Sequence, residues 1–264
     1  MLRSVNHIRK FTIGAKDGDI GSVEDFYFDD ERWAIRFVVV DTGTWLSGRR
    51  TLISPISIVG PDWGERRLVL ALSRDQVRNA PDIDSHKPVS RQHEAAYFDY
   101  YGYPYYWAGG GSWAGYATPI MPTAEELADA ERRVEENKRK ARERGDAHLR
   151  STTHVTGYSI AASDGELGHV EDFLFDDQTW AIRYLVVDTT TWWFGKHVIV
   201  APEWITGISW TDRTVNVNVS REAIKGAPEF KRGDLIRREW EETYYRHLGQ
   251  RGYWTPDDGG AGHP

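Results

Sequence analysis

Four acidic residues lie close together in one short stretch of the chain and have the chemistry to bind a hard cation. They are Glu24, Asp25, Asp29 and Asp30, and the same four residue types return at positions 171, 172, 176 and 177. Carboxylate oxygens are the ligands that Ca²⁺ and Mg²⁺ prefer. Neighbouring residues of a strand face opposite sides, however, so Glu24 and Asp25 do not both reach one ion, and a turn accounts for Asp29 and Asp30. We therefore predict structural roles for these carboxylates and no metal site.

Two histidines occupy equivalent positions in the two halves of the chain. Neither His7 nor His154 has a second histidine four residues away, which is the spacing of a zinc pair on a helix. We predict that both are hydrogen-bonded histidines on strands.

Two arginines recur in the same way. Arg36 and Arg183 each precede a run of apolar residues. We favour an ion pair with Asp41 or Asp188, or with another carboxylate at the mouth of a barrel, and the alternative is a clamp for an anionic ligand.

Residues for covalent catalysis are not recognisable in the sequence. The chain contains no cysteine, which excludes disulfides, thiolate catalysis and cysteine-ligated metals. No serine, histidine and aspartate arrangement is evident from order or spacing, and the glycines at 109–111 lack the lysine and the preceding strand of a phosphate-binding loop. We predict a protein without enzymatic activity, catalytic residues or cofactor.

Aromatic residues are concentrated in two segments, residues 90–107 and 233–254, which we call the arms. Each arm can begin as a helix, at 90–100 and at 233–247. Its rings either bind a base, a sugar or a quinone-like ligand, or pack on a barrel as a lid. Packing is favoured because several rings recur in both arms. The candidate interaction residues are Tyr97, Tyr101, Tyr105, Trp107, Tyr244 and Trp254.

All these positions are set by an internal duplication. Residues 2–107 align without a gap on residues 149–254, at an offset of 147, and about 40 of roughly 106 aligned positions are identical. We call the two halves copy one and copy two.

Each copy is predicted to be mainly β-structure. Residues 20–29 and 33–41 are rich in Val, Ile, Phe and Trp and flank a turn, which indicates an antiparallel hairpin. Residues 214–219 alternate between valine and polar residues, as in a half-buried strand. Ser73 and Ser220 are predicted to cap short helices. Five or six short strands per copy favour a small barrel.

The predicted fold is therefore two small β-barrels with short helices, the aromatic arms and one long charged linker helix. The linker opens at a capping box, Thr123 to Glu126, and has hardly any apolar face. The predicted domains are copy-one barrel 1–82, arm and Gly-rich segment 83–122, linker helix 123–148, copy-two barrel 149–229, and second arm with a disordered tail 230–264.

Composition argues against two classes of partner. The formal net charge is −7 and the sequence pI is about 5.7, which disfavours a protein whose main role is to neutralise nucleic acid or an anionic membrane. No stretch has the length of apolar residues of a spanning helix, and the N-terminus does not resemble a signal peptide. We predict a soluble, cytoplasmic protein of bacterial type.

The duplicated motif resembles the PRC-barrel domain. The resemblance rests on Asp17-Gly18-x-Ile20-Gly21-x-Val23-x-Asp25-x-x-Phe28-Asp29, on residues 33–42 and on Leu52-Ile53-Ser54-Pro55, and copy two matches equally well. This family includes the cytoplasmic part of the photosynthetic reaction-centre H subunit and the ribosome maturation factor RimM. The resemblance implies a PRC-like barrel and a protein-interaction module. The sequence contains neither the spanning helix of the H subunit nor the RNA-facing domain of RimM, so neither role carries over whole.

The predicted function is a non-enzymatic interaction or scaffolding module built from two such barrels. Its partner is another protein or a second copy, and the two barrels are expected to pack as an internal pseudo-twofold pair. One alternative is a binder of a small aromatic or quinone-like ligand linked to photosynthetic electron transport. Another is an RNA- or ribosome-associated factor that uses the basic residues of the linker, Arg132, Arg133, Lys138, Arg139, Lys140, Arg142 and Arg144.

Overall fold

The computed structural model describes residues 1–46, 48–81, 89, 91–108, 113, 118–121, 123, 149–189 and 197–255. The predicted linker helix beyond Thr123, the Gly-rich segment at 109–112 and the tail after Thr255 lie outside these residues. By their contacts the residues form two compact units. Unit one comprises Met1, Arg3–Val155 and Phe173–Arg183, and unit two comprises Leu2, Thr156–Asp172 and Tyr184–Pro264.

Copy one contains seven strands and three helices among the described residues. They are β1 (Leu2–Ser4), α1 (Val5–Ile8), β2 (Thr12–Ala15), β3 (Gly18–Asp29), β4 (Ala34–Asp41), β5 (Arg50–Ile53), β6 (Ile58–Asp62), β7 (Arg67–Leu70), α2 (Arg74–Arg78) and α3 (Arg91–Tyr101), with short 3-10 turns at Pro55–Ser57 and Tyr106–Ala108.

Copy two repeats this order. Its elements are β8 (Leu149–Ser151), α4 (Thr152–Val155), β9 (Ser159–Ala162), β10 (Gly165–Asp176), β11 (Ile182–Asp188), β12 (His197–Val200), β13 (Ile205–Ser209), β14 (Thr214–Val217), α5 (Arg221–Lys225) and α6 (Arg238–His247), with a 3-10 turn at Pro202–Trp204.

The protein is mainly β, as predicted, with two similar β domains. One sheet has the strand order β5-β4-β3-β2-β7-β6 with β8 also on β3, and the other has the order β12-β11-β10-β9-β14-β13 with β1 also on β10. β2 with β7 and β9 with β14 are parallel pairs, whereas β3 is antiparallel to β2, β4 and β8, and β10 is antiparallel to β9. A parallel pair needs a crossover connection, which the intervening strands supply in each copy.

The predicted hairpin is confirmed and forms the centre of each sheet. β3 pairs with β4 in the register Val23↔Val40 and Phe26↔Val38. The β4 side chains from Ala34 to Val40 are all buried, because this strand is covered on both faces. The capping predictions are also confirmed, since the Ser73 and Ser220 hydroxyls accept backbone N–H groups at the starts of α2 and α5.

The turn of this hairpin explains one of the four acidic residues of the motif. Asp29 Oδ1 accepts hydrogen bonds from the backbone N–H groups of Glu31, at 3.0 Å, and Arg32, at 3.2 Å. Trp33 closes the turn with φ +49°, a left-handed conformation that is unusual for a large side chain, and its ring stacks on Phe28. Trp180 has the same conformation in copy two, with φ +58°.

The glycine of the motif allows β3 and β4 to approach closely. Gly21 has φ +152°, and a Cβ atom there would overlap the backbone oxygen of Asp41. Gly168 has φ +144° and meets Asp188 in the same way. Only glycine fits both conditions, so the motif retains it in each copy.

Unit one contains segments of both copies. β8, the first strand of copy two, pairs with β3 in the register Tyr27↔Ser151. Ala34 also forms a bridge with Ala181, which is framed by two hydrogen bonds, Ile35 N–H to Trp180 O at 2.8 Å and Ile182 N–H to Trp33 O at 2.7 Å. The sheet of copy one is thus completed by a strand that the sequence pattern assigns to copy two.

The arm helices are shorter than predicted in one case. α3 (Arg91–Tyr101) matches the prediction for the first arm. In the second arm, α6 begins only at Arg238, because Gly233 has φ +84° and Arg237 is extended. Among the described residues, no helix has both the length and the apolar character needed to cross a membrane.

Candidate functional site: the aromatic arms and their buried charges

The first arm lies on the central strand of unit one. The Phe37 ring of β4 contacts Tyr97 edge-to-face at 5.1 Å. The Tyr97 hydroxyl accepts the backbone N–H of Ser54 at 3.0 Å, and the Tyr103 hydroxyl lies 2.6 Å from the hydroxyl of Ser57. Burial raises the pKa of Tyr97 well above its ordinary value. These phenols therefore stay protonated at neutral pH and serve as hydrogen-bonding groups.

Beneath this arm, an arginine is buried in a box of aromatic rings. The Arg36 side chain is 0% exposed, and its Nη2 donates to Asp29 Oδ2 at 3.0 Å. The guanidinium carbon lies 3.7 Å from the Tyr106 ring centroid and 4.8 Å from that of Trp113. Burial lowers the pKa of Arg36, while Tyr106 and Asp29 act in the opposite direction. Asp29 and the two ring faces each offset part of the desolvation of this charge.

A buried carboxylate holds the end of the same arm. Glu94 accepts the hydrogen bond of the Tyr106 hydroxyl, and both side chains are buried. The backbone carbonyl of Tyr106 accepts from Arg32 Nη1 at 2.6 Å, and the indole N–H of Trp113 donates to the carbonyl of Thr179 at 2.9 Å. The arm is therefore fixed to the β3–β4 turn by directional bonds as well as by apolar contact.

Unit two has a related arrangement with different details. The Tyr244 hydroxyl donates to the Ile199 carbonyl at 2.7 Å. The buried Glu241 accepts from the hydroxyls of Tyr184 at 2.7 Å and Tyr253 at 3.0 Å, and Arg238 Nη1 lies 3.0 Å from its other oxygen. Burial, followed by the Glu241 charge, raises the pKa of Tyr253 to about 12. Glu241 is thus the hydrogen-bond acceptor that joins α6 to β11.

The structure places the six candidate interaction residues within these packed arms. Tyr97, Tyr105 and Tyr244 are buried at 1 to 2% exposure. The remaining three, Tyr101, Trp107 and Trp254, are half-buried. Tyr105 stacks on Trp107 at 4.7 Å and Tyr101 on Tyr103 at 5.2 Å. The rings face one another and the sheets, which is the arrangement expected of lids.

The remaining carboxylates of the first acidic motif have structural partners in unit one. Glu24 pairs with Arg50, and Asp30 accepts from Arg150 Nε at 2.7 Å. Asp25 accepts from the hydroxyls of Ser151 at 2.5 Å and Thr152 at 2.7 Å, and from two backbone N–H groups. Within the described ranges, no three His, Asp or Glu side chains are grouped as metal ligands. Asp25 instead anchors β8 and α4 to β3.

Two sequence predictions are corrected by the structure. Arg36 forms the favoured ion pair, but with Asp29 rather than with Asp41. The hairpin register places Asp29 opposite Ala34, two residues from Arg36 on β4, whereas Asp41 accepts the nearby N–H of Gly43 at 2.9 Å. His7 and His154 do not lie on strands. Both are exposed on the one-turn helices α1 and α4, where the ring of His7 contacts Phe11.

Sequence reasoning does not single out Glu94, Glu241 or Trp113. Glu94 and Glu241 recur at the offset of 147, so the duplication carries a signal for them. That signal is weak, because an acidic residue on an arm helix is more often solvated. Trp113 has no tryptophan counterpart, since position 260 is glycine, and only the folded chain brings it to Arg36.

The fold and the arms define a class: a mainly β protein with two similar domains, each carrying a docked aromatic arm with a buried carboxylate. A scan against protein-family models finds no match. A search of curated proteins likewise finds no significant match.

Proposed function

We propose that the chain is a non-enzymatic protein-interaction or scaffolding module with two PRC-like barrels, and that it acts in the cytoplasm. The observation that carries the proposal is the use of the motif side chains of unit one. The carboxylates of the first acidic motif and Arg36 form contacts that hold strands, turns and arm together. Residues committed in this way contribute to a rigid fold and not to a site for substrate.

The packing of the arms also supports this proposal over the ligand-binding alternative. Ligand sites are concave and lined by apolar groups with a few converging polar atoms. In both arms the buried hydroxyls of Tyr97 and Tyr244 already bond to backbone atoms of the sheet beneath them. A quinone-like molecule would have to displace a ring whose burial contributes about 1.5 to 3 kcal/mol.

The experiment for the proposal uses the full chain. Light scattering after size-exclusion chromatography measures self-association of the purified protein. Reversible cross-linking in cells of the native host, followed by affinity isolation of the tagged chain, identifies partners, with the tag alone as control. We expect either a defined oligomer or a reproducible partner in stoichiometric amount. A monomer that isolates with the same background as the tag alone would refute a scaffolding role.

A second measurement distinguishes the proposed interaction module from the ligand-binding alternative. Addition of a water-soluble naphthoquinone is followed by tryptophan fluorescence, with free tryptophan correcting for collisional quenching. A packed arm predicts only the quenching seen with the free amino acid. Saturable quenching at micromolar concentration would favour the alternative and count against the proposal. The RNA-binding alternative rests on linker residues outside the described ranges.

A further inference from the structure

Unit two contains a continuous row of tyrosine and tryptophan rings. Successive ring centroids are separated by 4.9, 6.1, 5.1, 4.9 and 5.0 Å. In order, the rings are Trp240, Tyr244, Trp204, Tyr245, Trp254 and Tyr253. These two residue types are the aromatic side chains that lose a single electron most readily. Each ring can therefore donate an electron to its oxidised neighbour, and the electron vacancy moves one ring along the row.

The row connects accessible rings through the protein interior. The three middle rings, Tyr244, Trp204 and Tyr245, are 1 to 2% exposed. The first ring, Trp240, and the last, Tyr253, are half-buried and reach solvent. An oxidant in solution can therefore meet the ends of the row, while the middle rings are shielded from it.

The last tyrosine of the row has a proton acceptor within hydrogen-bond distance. A tyrosine loses its phenolic proton when it is oxidised, and the Tyr253 hydroxyl donates to the Glu241 carboxylate at 3.0 Å. The Tyr244 hydroxyl donates to the Ile199 carbonyl, which is not a base. The Arg238 guanidinium lies 4.1 Å from the Trp254 ring, where its charge opposes a positive charge on the indole. Within the row, an electron vacancy on Tyr253 is thus the one that proton transfer to a carboxylate stabilises. Tyr184, which also donates to Glu241 at 2.7 Å, lies beside the row, with its ring centroid 6.3 Å from that of Tyr245.

The amino-acid composition leaves few sulfur-containing side chains that could compete with the row for an oxidising equivalent. The chain has no cysteine and two methionines, against 12 tryptophans and 13 tyrosines. Both methionines, Met1 and Met121, are exposed and belong to unit one. Sulfur therefore does not intercept an oxidising equivalent within the row.

We propose that this row is a relay for single oxidising equivalents, and we call it the aromatic relay. A one-electron oxidant takes one electron from Trp240 and leaves its radical cation. Electrons then pass ring by ring toward Trp240, so the vacancy moves to Tyr253, whose hydroxyl proton transfers to Glu241. The products are the reduced oxidant, a neutral Tyr253 radical and a protonated Glu241. A diffusible donor such as a phenol or thiol then gives one electron to the Tyr253 radical. The proton returns to Tyr253 from Glu241, and the donor releases its own proton to the solvent.

Unit one provides an internal comparison. Phe98 occupies the position that Tyr245 has in copy two, and phenylalanine is much harder to oxidise. It lies between two groups of oxidisable rings, contacting Tyr97 at 5.8 Å on one side and Trp107 at 5.6 Å on the other. Unit one thus has phenylalanine at the position where the row of unit two has Tyr245, so Tyr245 is the residue that distinguishes the two units at this point.

The absence of cysteine allows the oxidant to be placed at one end. A single cysteine introduced as Thr243→Cys, at an exposed position one helical turn from Trp240, carries a covalently attached ruthenium polypyridyl photosensitiser. Flash oxidation in the presence of a nitroso spin trap is followed by peptide mass spectrometry. The measured quantities are the trap adduct on Tyr253 and the oxidised forms of Trp240.

In the labelled chain we expect the adduct at Tyr253. Tyr245→Phe in the same background should lower that adduct several-fold and raise Trp240 oxidation. The matched control is Tyr158→Phe, a buried tyrosine of unit two whose ring contacts Trp210 and lies outside the relay. An adduct yield that Tyr245→Phe leaves unchanged, or that Tyr158→Phe lowers equally, would overturn the relay.

A second variant leaves every ring in place. Glu241→Gln removes the proton acceptor while all six rings remain, and thermal unfolding checks that the fold survives. The relay predicts a several-fold loss of the Tyr253 adduct in favour of tryptophan products. An unchanged Tyr253 adduct in a folded Glu241→Gln protein would show that Glu241 does not receive the proton, and would refute the mechanism.

Discussion

The buried charge pair of unit one makes a quantitative prediction about stability. Asp29→Asn keeps an Oδ1 acceptor for the turn N–H groups and removes only the charge that faces Arg36. The amide Nδ2 would also present a donor to the Arg36 donor that now lies 3.0 Å from Asp29 Oδ2. Because the guanidinium is fully buried, the change leaves a desolvated cation without its counter-ion.

The magnitude follows from the geometry of the box. Loss of one partner of a buried ion pair costs about 3 to 5 kcal/mol. The Tyr106 and Trp113 faces still contact the guanidinium in the variant, so its charge is not left wholly uncompensated and the loss falls toward the lower end of that range. We therefore expect Asp29→Asn to lower the free energy of unfolding by about 3 kcal/mol, the lower end of the range.

Copy two offers a matched control at the same turn. Asp176 accepts the N–H groups of Gln178 at 2.8 Å and Thr179 at 3.0 Å, as Asp29 does for its own turn. Asp176 is half-buried, and so is Arg183, which is the counterpart of Arg36. Charges near solvent interact weakly, so Asp176→Asn should cost about 1 kcal/mol or less.

Equilibrium urea unfolding of the full chain, followed by tryptophan fluorescence and circular dichroism, measures both variants. If both substitutions lower the free energy of unfolding equally, the effect comes from the turn that both residues share, and the role assigned to the buried Arg36 is refuted. The same role is refuted if Asp29→Asn lowers the free energy of unfolding by less than about 1 kcal/mol, because loss of the counter-ion of a buried guanidinium is expected to cost more than that.

Three further predictions concern the arms and the hairpin. Tyr97→Phe leaves the Ser54 N–H without its acceptor and should cost about 1 to 3 kcal/mol in urea unfolding; no measurable change would mean that the arm does not dock there. Gly21→Ala places a Cβ against the neighbouring strand and should destabilise the fold by more than about 1 kcal/mol beyond Gly43→Ala. Gly43 also has a positive φ, but the space around it is open. Equal melting temperatures for the two variants would contradict the close approach of β3 and β4. The raised pKa of Tyr253, about 12, means that its neutral form is favoured in the folded chain. Its contribution to stability is complete below the unfolded pKa of about 10 and is lost as pH rises from there to about 12. Phenolate absorbance during alkaline titration should therefore show a late fraction, and Tyr253→Phe should reduce that fraction by one tyrosine while the other buried tyrosines still titrate late.

Much of the local structure follows from short-range patterns. The β3–β4 hairpin is predictable because alternating apolar residues flank a polar turn, and the serine caps because a hydroxyl satisfies the free N–H groups of a helix start. The early start predicted for the second arm helix was wrong, because Gly233 takes a left-handed conformation that the surrounding polar residues do not reveal.

The candidate site was predictable only in part. The arms are recognisable because so many large aromatic rings in one segment are expected to be buried. Several of these rings recur in both copies, which favours packing on the sheets over a ligand site. The partner of Arg36 was not predictable, because Asp29 and Asp41 are both close along the chain and only the hairpin register decides which one faces the guanidinium. Glu94 and Glu241 were missed, because burial of a carboxylate depends on phenols brought from other elements.

The sequence by itself determined the duplication, the mainly β character and the positions of the turns. Each of these depends on residues within one or two turns of chain, or on direct comparison of one half with the other. Only the tertiary structure decided that β8 of copy two completes the sheet of copy one, that Asp25 anchors it, and that a row of rings runs unbroken through unit two. These features join residues up to 128 positions apart, as from Asp25 to Thr153. Contacts at that separation are set by packing of the whole chain and not by local pattern.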